Sequence, residues 1–377
     1  MPRLSDIEQE YGFPLPDRLI ARYPAQFRDK SRLLALPAGA DLPEHRQFFE
    51  LPELLEPSDI LVWNDTMVEP RRVRLERKTG AKMEALFLEP ESISGEPNSA
   101  EHGPHSIART RSNEAWSCLI RNAKARSGEF LIHSPSGVEF RFIRKKTTSE
   151  SGSNEDFYLI APDGLNMHNF FLEHGEMPIP PYLGREEEGL DRLRYQTVYA
   201  AAKSRGSLEY SSAAAPTAGL HFTAELIEKL KNKGIRICSV QLAVGLGTFS
   251  PLQEENLRRK ELHRERFALP EETAELLNRK DGRVIAIGTT TLRALESNIR
   301  QFGKFQSGHF ETSAFYHPPD TIQSIQGLIT NFHLPGSSLL LLVAAFAGKQ
   351  RILEAYRTAI EKEYRFYSYG DAMLVFA

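Results

Sequence analysis

The chain changes texture twice, and no single uninterrupted layer of structure accommodates both changes. Its first part ends in a buried-strand signal, "DILVWNDTMVEP", in which Ile60, Leu61, Val62 and Trp63 run into a polar stop at Asn64, Asp65 and Thr66. Short alternating segments follow, "KMEALFLE", "WSCLIR", "EFLIHS" and "VEFRFIRKK", separated by Gly, Pro, Ser and Asn. A period of two puts the apolar side chains of a pleated strand on one face, so this block reads as a small antiparallel β module. After "MPIPPYLGR" the chain returns to strands alternating with helices. Such an excursion is most simply an insertion: residues 1–72 and 167–377 form one discontinuous α/β domain, and 73–166 an inserted all-β domain. A length of 377 residues, more than one hydrophobic core usually serves, agrees with two domains.

Within the α/β part the signals are local. "AELIEKLKNKG" is an amphipathic helix with Thr223 as N-cap and Gly234 as stop. "IRICSVQLAV" and "RVIAI" are strands, the second leading through "GTTTLRALES" into a helix. "LLLLVAAFA" from Leu339 is a buried helix, too short to cross a membrane. Two polar tracts, "EPESISGEPNSAEHGPHS" and "KKTTSESGSNED", read as long mobile loops of the β module.

Composition excludes more than it selects. Hydrophobic residues at 41% and charged residues at 26% suit an ordinary globular protein. A formal net charge of −3 does not mark a nucleic-acid binder, so any such role rests on local patches. Cys118 and Cys238 are isolated, which suits a reducing cytosol and argues against a structural zinc site. The opening "MPRLSDIEQEYGF" has no apolar run, so no signal peptide is expected there, and the chain reads as cytoplasmic and monomeric.

Three junctions combine small residues, glycines and hydroxyls where a helix starts: "AAAPTAGLHFT", "GLGTFSP" and "GTTTLRALES". A helix start presents unpaired N–H donors and positive potential, which suits an anion or polar ligand, although threonines there also serve as plain caps. Neither a dinucleotide fingerprint nor a P-loop is present. His221 and His333 each end an apolar stretch punctuated by glycine and proline, and an imidazole is suited to moving a proton near neutral pH. His263 sits among charges; a metal held by the three histidines is an alternative that lacks any pair on one helix face. "YRFYSYGDAM" offers Tyr364, Phe366, Tyr367 and Tyr369 as core packing or as a wall on which a base stacks, with Asp371 as acceptor or acid. Basic clusters at "PRRVRLERK", "RNAKAR" and "RFIRKK", including Arg71, Arg72, Arg121 and Lys124, would track phosphates if they shared a face.

Taken together, "IARYPAQFRDKSRLL", "LVWNDTMVEP", "YQTVYA", "AAPTAGLHFT", "GLGTFSP", "IGTTTLRALES", "LITNFHLPGSSLLLLVAAFAG" and "YRFYSYGDAM" stand in the order found in the S-adenosylmethionine:tRNA ribosyltransferase-isomerase family, which this chain resembles over almost its whole length. The resemblance implies an α/β domain with a central β-barrel-like sheet flanked by helices, plus an inserted β-barrel. It implies that S-adenosylmethionine is consumed as a ribosyl donor, with no cofactor and no metal. The ribosyl group is transferred and isomerised onto 7-aminomethyl-7-deazaguanine at the tRNA wobble position, giving epoxyqueuosine, adenine and methionine. A base must take a proton from C5′ beside the sulfonium and an acid must help adenine leave, with water excluded.

On that resemblance His221, poised at the rim of the site, His333, Asp371 and Asp65 are the acid–base candidates. Asn64 joins Asp65 in holding ribose hydroxyls or the amine, and Thr289, Thr290 and Arg293 hold a carboxylate or phosphate. Pro216, Thr217, Gly219, Phe222, Thr223, Gly245, Gly247, Thr248, Phe249, Asn331 and Tyr369 line the substrate, and Arg32 joins the RNA-facing arginines. Two motif positions depart from the family: Ala243 replaces a usual histidine and Met67 a usual arginine, removing a proton carrier and an anion clamp. The alternatives that follow are a tRNA-binding relative with weakened or altered chemistry, and a metal-dependent hydrolase.

Overall fold

The structure is a computed structural model that describes residues 3–40, 42–91, 115–121, 125–149, 152–200, 211–243 and 252–377, with backbone only at 121, 145–149 and 152–156. The chain divides into two compact units, Met1–Val68 with Ile179–Ala377, and Glu69–Pro178. Its strands in chain order are β1 (Arg32–Leu36), β2 (Glu44–Gln47), β3 (Ile60–Asn64), β4 (Arg72–Arg77), β5 (Lys82–Glu91), β6 (Ala115–Arg121), β7 (Phe130–His133) and β8 (Val138–Ser149). They continue with β9 (Gly152–Ile160), β10 (Arg236–Leu242), β11 (Glu261–Leu269), β12 (Val284–Ile287), β13 (Gly308–Ala314), β14 (Gly327–Asn331) and β15 (Ala372–Phe376).

The first unit is built on a nine-stranded mixed sheet in the order β13-β11-β10-β3-β12-β14-β15-β1-β2. β10, β3, β12 and β14 run parallel at its centre, while β15 pairs antiparallel with β14. β3, β12 and β14 are buried almost throughout without alternation, as in "VIAI", because parallel strands carrying helices on both faces are buried on both sides, whereas β10, next to the antiparallel β11, is mostly half-buried. Parallel strands also bring their carboxyl ends to one edge of the sheet, where open α/β folds place their ligands. The segments after β3, β12 and β14 are the quoted motifs, so strand polarity alone gathers them.

Helix signals in this unit match the structure closely. Helix Ala224–Asn232 is capped by Thr223, whose Oγ1 accepts from Leu226 N at 3.1 Å. Helix Ser338–Ala347, capped by Ser337, buries nearly every side chain against the larger core. Helix Thr289–Phe302 starts at Gly288, whose φ of 92° a glycine adopts without the Cβ penalty.

The second unit contains a closed barrel in the order β4-β5-β6-β9-β8-β7, among the described residues. It also contains helix Met167–His174, whose Phe171 packs on Phe87 and Trp116 at ring separations of 5.2 and 5.3 Å. The boundary drawn at residue 166 assigns that helix to the α/β part, because its sequence says where a helix forms but not which aromatic cluster it joins. The tract "KKTTSESGSNED" corrects the loop expectation. Its backbone extends the β8–β9 ladder from Lys145 opposite Asp156 to Ser149 opposite Gly152. Ladder hydrogen bonds hold a polar hairpin that has no apolar face to announce it. The tract from residue 92 to 114 lies outside the described residues.

Candidate active site

At the carboxyl ends of β12 and β14 the first unit encloses a cavity of about 300 Å³. That is the lower end of the roughly 300–1,000 Å³ occupied by small-molecule sites. One group of lining residues is polar. It includes Glu8, Thr217, Thr289, Thr290, Thr330, Asn331 and Ser368, with Ser337 and Ser338 at a further helix start. The two α-helices begin here, so their leading N–H groups and the positive ends of their dipoles belong to the wall. A second group is aromatic and apolar: Tyr182, Tyr367, Leu252, Leu334 and Pro335. Tyr182 and Tyr367 stack with centroids 4.1 Å apart. Tyr367 holds a left-handed backbone at φ 74°, a conformation a bulky residue keeps only when its surroundings enforce it. Burial pushes the Tyr367 hydroxyl up to about 12.

His333 is on the cavity wall, and its Nε2 lies 2.8 Å from Thr330 Oγ1. Recessed from solvent, its imidazole is pushed by desolvation down to about 3. His221 corrects the expectation that it stands at the rim. It lies behind the wall, only 4% exposed, with Nδ1 2.7 Å from Ser31 Oγ, Nε2 3.2 Å from Asn331 Nδ2, and its ring stacked on Phe48. Desolvation, reinforced by the charges of Arg365 and Arg28, lowers its pKa to about 3. Asn331 and Thr217, joined by a 2.9 Å hydrogen bond, take the place at the wall.

Several other candidates are spent on the fold. Asn64 is fully buried and ties β3 to β10, donating to Leu242 O (2.9 Å) and accepting from Leu242 N (3.1 Å) and from Thr66. Asp65, half-buried beside it, joins the sheet through its backbone, its N–H donating to Val240 O at 3.1 Å, and is not among the residues lining the cavity. Asp371 accepts from Arg32 N (2.9 Å) and Arg365 N (2.8 Å), stapling β1 to the C-terminal turn. Tyr369 donates to Asp191 Oδ1 at 2.7 Å, and Tyr364 lies under the Arg32 guanidinium. Arg293 is buried against Glu265, and its pKa is lowered by desolvation to about 10; it borders a separate small void with Thr289 and Thr290.

Phe222 is a core residue against Phe48 and Trp63, and Thr223 is the helix cap. Gly219 is small for a reason other than substrate approach: a Cβ there would stand 1.9 Å from Tyr199 Oη, whose ring stacks on Trp63. Ala215, Pro216 and Ala218 do line the cavity. Gly245, Gly247, Thr248 and Phe249, the "GLGTFSP" motif, and Lys124 lie outside the described residues, as does the side chain of Arg121.

Arg71 does not belong to a surface strip. It is 1% exposed, paired with Glu69, donating to Leu88 O and lying against Trp116, and Glu69 also meets His168. A buried guanidinium needs such partners. Arg72 is half-buried, 3.7 Å from Glu84. Arg32 donates to Lys362 O at 2.6 Å. Of the departures, Ala243 is buried with its N–H on Arg266 O (3.2 Å), and the Met67 carbonyl accepts from Ser212 N (2.8 Å). Among the described residues, no group of three or more His, Cys, Asp or Glu is arranged to hold a metal ion.

Sequence reasoning missed Tyr182 and Ser31. Tyr182 lies in a stiff turn between Pro181 and Gly184, a signal of rigidity that does not say what the ring faces; nothing local distinguishes Ser31.

The profile of the family described as Queuosine biosynthesis protein matches residues 8–375. This chain belongs to that family. An S-adenosylmethionine:tRNA ribosyltransferase-isomerase of Trichlorobacter lovleyi is 42% identical over 97% of this chain and 99% of its own length. Proteins of the same name from Desulforamulus reducens and Thermotoga maritima are 38% and 40% identical, each over 97% of this chain and 98% of their own length. The crystal structure of S-adenosylmethionine tRNA ribosyltransferase from Thermotoga maritima aligns with a TM-score of 0.50 at 31% identity, covering 97% of this chain and 99% of that one. As expected for a queuosine biosynthesis protein, an α/β domain and an inserted β-barrel are both present. No described helix is long and apolar enough to cross a membrane.

Proposed function

We propose that this protein transfers and isomerises the ribosyl moiety of S-adenosylmethionine onto 7-aminomethyl-7-deazaguanine at the tRNA wobble position, releasing adenine and methionine. The observation that carries the reading is the near-full-length match to ribosyltransferase-isomerases at up to 42% identity. S-adenosylmethionine is the consumed substrate and not a resident cofactor, and the enzyme works as a cytoplasmic monomer. The cavity at the ends of β12 and β14 is its site.

The two lining groups suit the two ends of a sulfonium nucleoside. The purine has flat apolar faces and stacks on the Tyr182–Tyr367 step, and the amino-acid carboxylate takes the helix starts at Thr289–Thr290 and Ser337–Ser338. His333, on the wall, accepts the C5′ proton, which the adjacent sulfonium acidifies. Adenine and methionine should appear in step with tRNA modification when the protein meets S-adenosylmethionine and tRNA bearing the aminomethyl base. No adenine at saturating substrates overturns the reading.

A further inference from the structure

Behind the cavity wall runs a hydrogen-bond chain with one internally consistent direction. Ser31 Oγ donates to Arg28 O at 3.2 Å, so its lone pair accepts from His221 Nδ1 at 2.7 Å. His221 Nε2 is then an acceptor, and Asn331 Nδ2 donates to it at 3.2 Å. The amide oxygen of Asn331 is left to accept from Thr217 Oγ1 at 2.9 Å. Ser31, His221 and Asn331 are all buried, and Phe48 fixes the imidazole plane at a centroid distance of 5.0 Å. A carboxamide has two N–H donors and an oxygen with two lone pairs. Among the described residues, one donor and one lone pair of Asn331, a cavity-lining residue, therefore remain for a ligand, and their sense is set from behind.

We propose that Asn331 binds the vicinal hydroxyls of a ribose as a fixed donor–acceptor pair, and that Ser31 and His221 are positioning residues that set its orientation. The proposal rests on reading the cavity as the nucleoside site. Each hydroxyl of a ribose diol can donate or accept, so a carboxamide of fixed sense makes the one at its N–H the acceptor and the one at its oxygen the donor, and binds both without first having to order its own amide. Losing a hydroxyl leaves a buried amide group unpaired, which is more costly than the hydrogen bond itself contributes. His221 stays uncharged down to a pH of about 3, so the sense of the chain is the same throughout the neutral range.

The test is calorimetric binding of S-adenosylmethionine and of its 2′-deoxy and 3′-deoxy analogues, beside the adenine-release assay. Wild-type protein should prefer the ribo compound by roughly tenfold or more. Asn331→Ala should reduce that preference to about twofold or less, and Ser31→Ala, which removes only the far end of the chain, to about threefold. His221→Gln should change KM and the ribo preference while keeping both limbs of the kcat/KM pH profile. Equal binding of ribo and deoxy compounds by the wild type, or an intact preference in both Asn331→Ala and Ser31→Ala, overturns the proposal. Loss of one limb in His221→Gln makes the imidazole a proton carrier and overturns its positioning role. A wild type that releases adenine but shows no ribo preference defeats this inference alone; one that neither binds nor releases adenine defeats the functional reading with it.

Discussion

β3 and β14 are parallel strands separated by β12, and each ends in an asparagine, yet the two carboxamides do opposite work. Asn64 spends its amide on the Leu242 backbone and on Thr66, closing the gap between β3 and β10. Asn331 is held by side chains, His221 and Thr217, and lines the cavity. A carboxamide bonded to backbone groups of the next strand is part of the sheet. One bonded to side chains keeps capacity for a ligand, and the cost of orienting it is carried by groups outside the site.

Matched substitutions at the two strand ends should have opposite outcomes in turnover. Asn331→Ala should lower kcat/KM about a hundredfold or more in protein that remains folded, beyond the roughly 1–3 kcal/mol of stability lost by leaving the buried His221 Nε2 without its donor. Asn64→Ala should spare it: the substitution strands the Leu242 N–H and C=O and should cost roughly 1–3 kcal/mol in denaturant unfolding, while folded enzyme keeps its kcat/KM. If Asn64→Ala abolishes turnover in protein that remains folded, the division between the two strand ends is wrong.

Acid titration sharpens the same contrast with a smaller effect per step. His221 and His333 have folded pKa values lowered from 6.5 to about 3, so the unfolded chain binds protons that the folded chain refuses. Their contribution is complete above pH 6.5 and is lost as pH falls toward 3, at about 1.4 kcal/mol per pH unit for each histidine. His221→Gln should flatten the dependence of the thermal midpoint on pH between those limits, and an unchanged slope would place its imidazole in solvent.

Much of the fold was legible because its signals are local. Thr223 caps the helix it precedes, "RVIAI" is buried on both faces, and alternation marked the barrel strands. The polar β8–β9 ladder was not, since it lacks an apolar face and is held by pairing between segments. Arg71 carries the same basic signal as any surface arginine, but Glu69 and Trp116 enclose it. Asp371 looked like an acid because it follows aromatic residues and a glycine; two backbone N–H groups occupy it instead.

The sequence by itself determined the family, the inserted module, and the set of motifs from which any site must be drawn, because period, caps and motif order are properties of neighbouring residues. Only the tertiary structure decided which polar side chains face the cavity and which are used up, because that depends on partners such as Ser31 for His221 and Leu242 for Asn64, 190 and 178 residues apart along the chain. A side chain's chemistry is written in its own position, but its unused hydrogen-bonding capacity is set by whatever the fold brings against it.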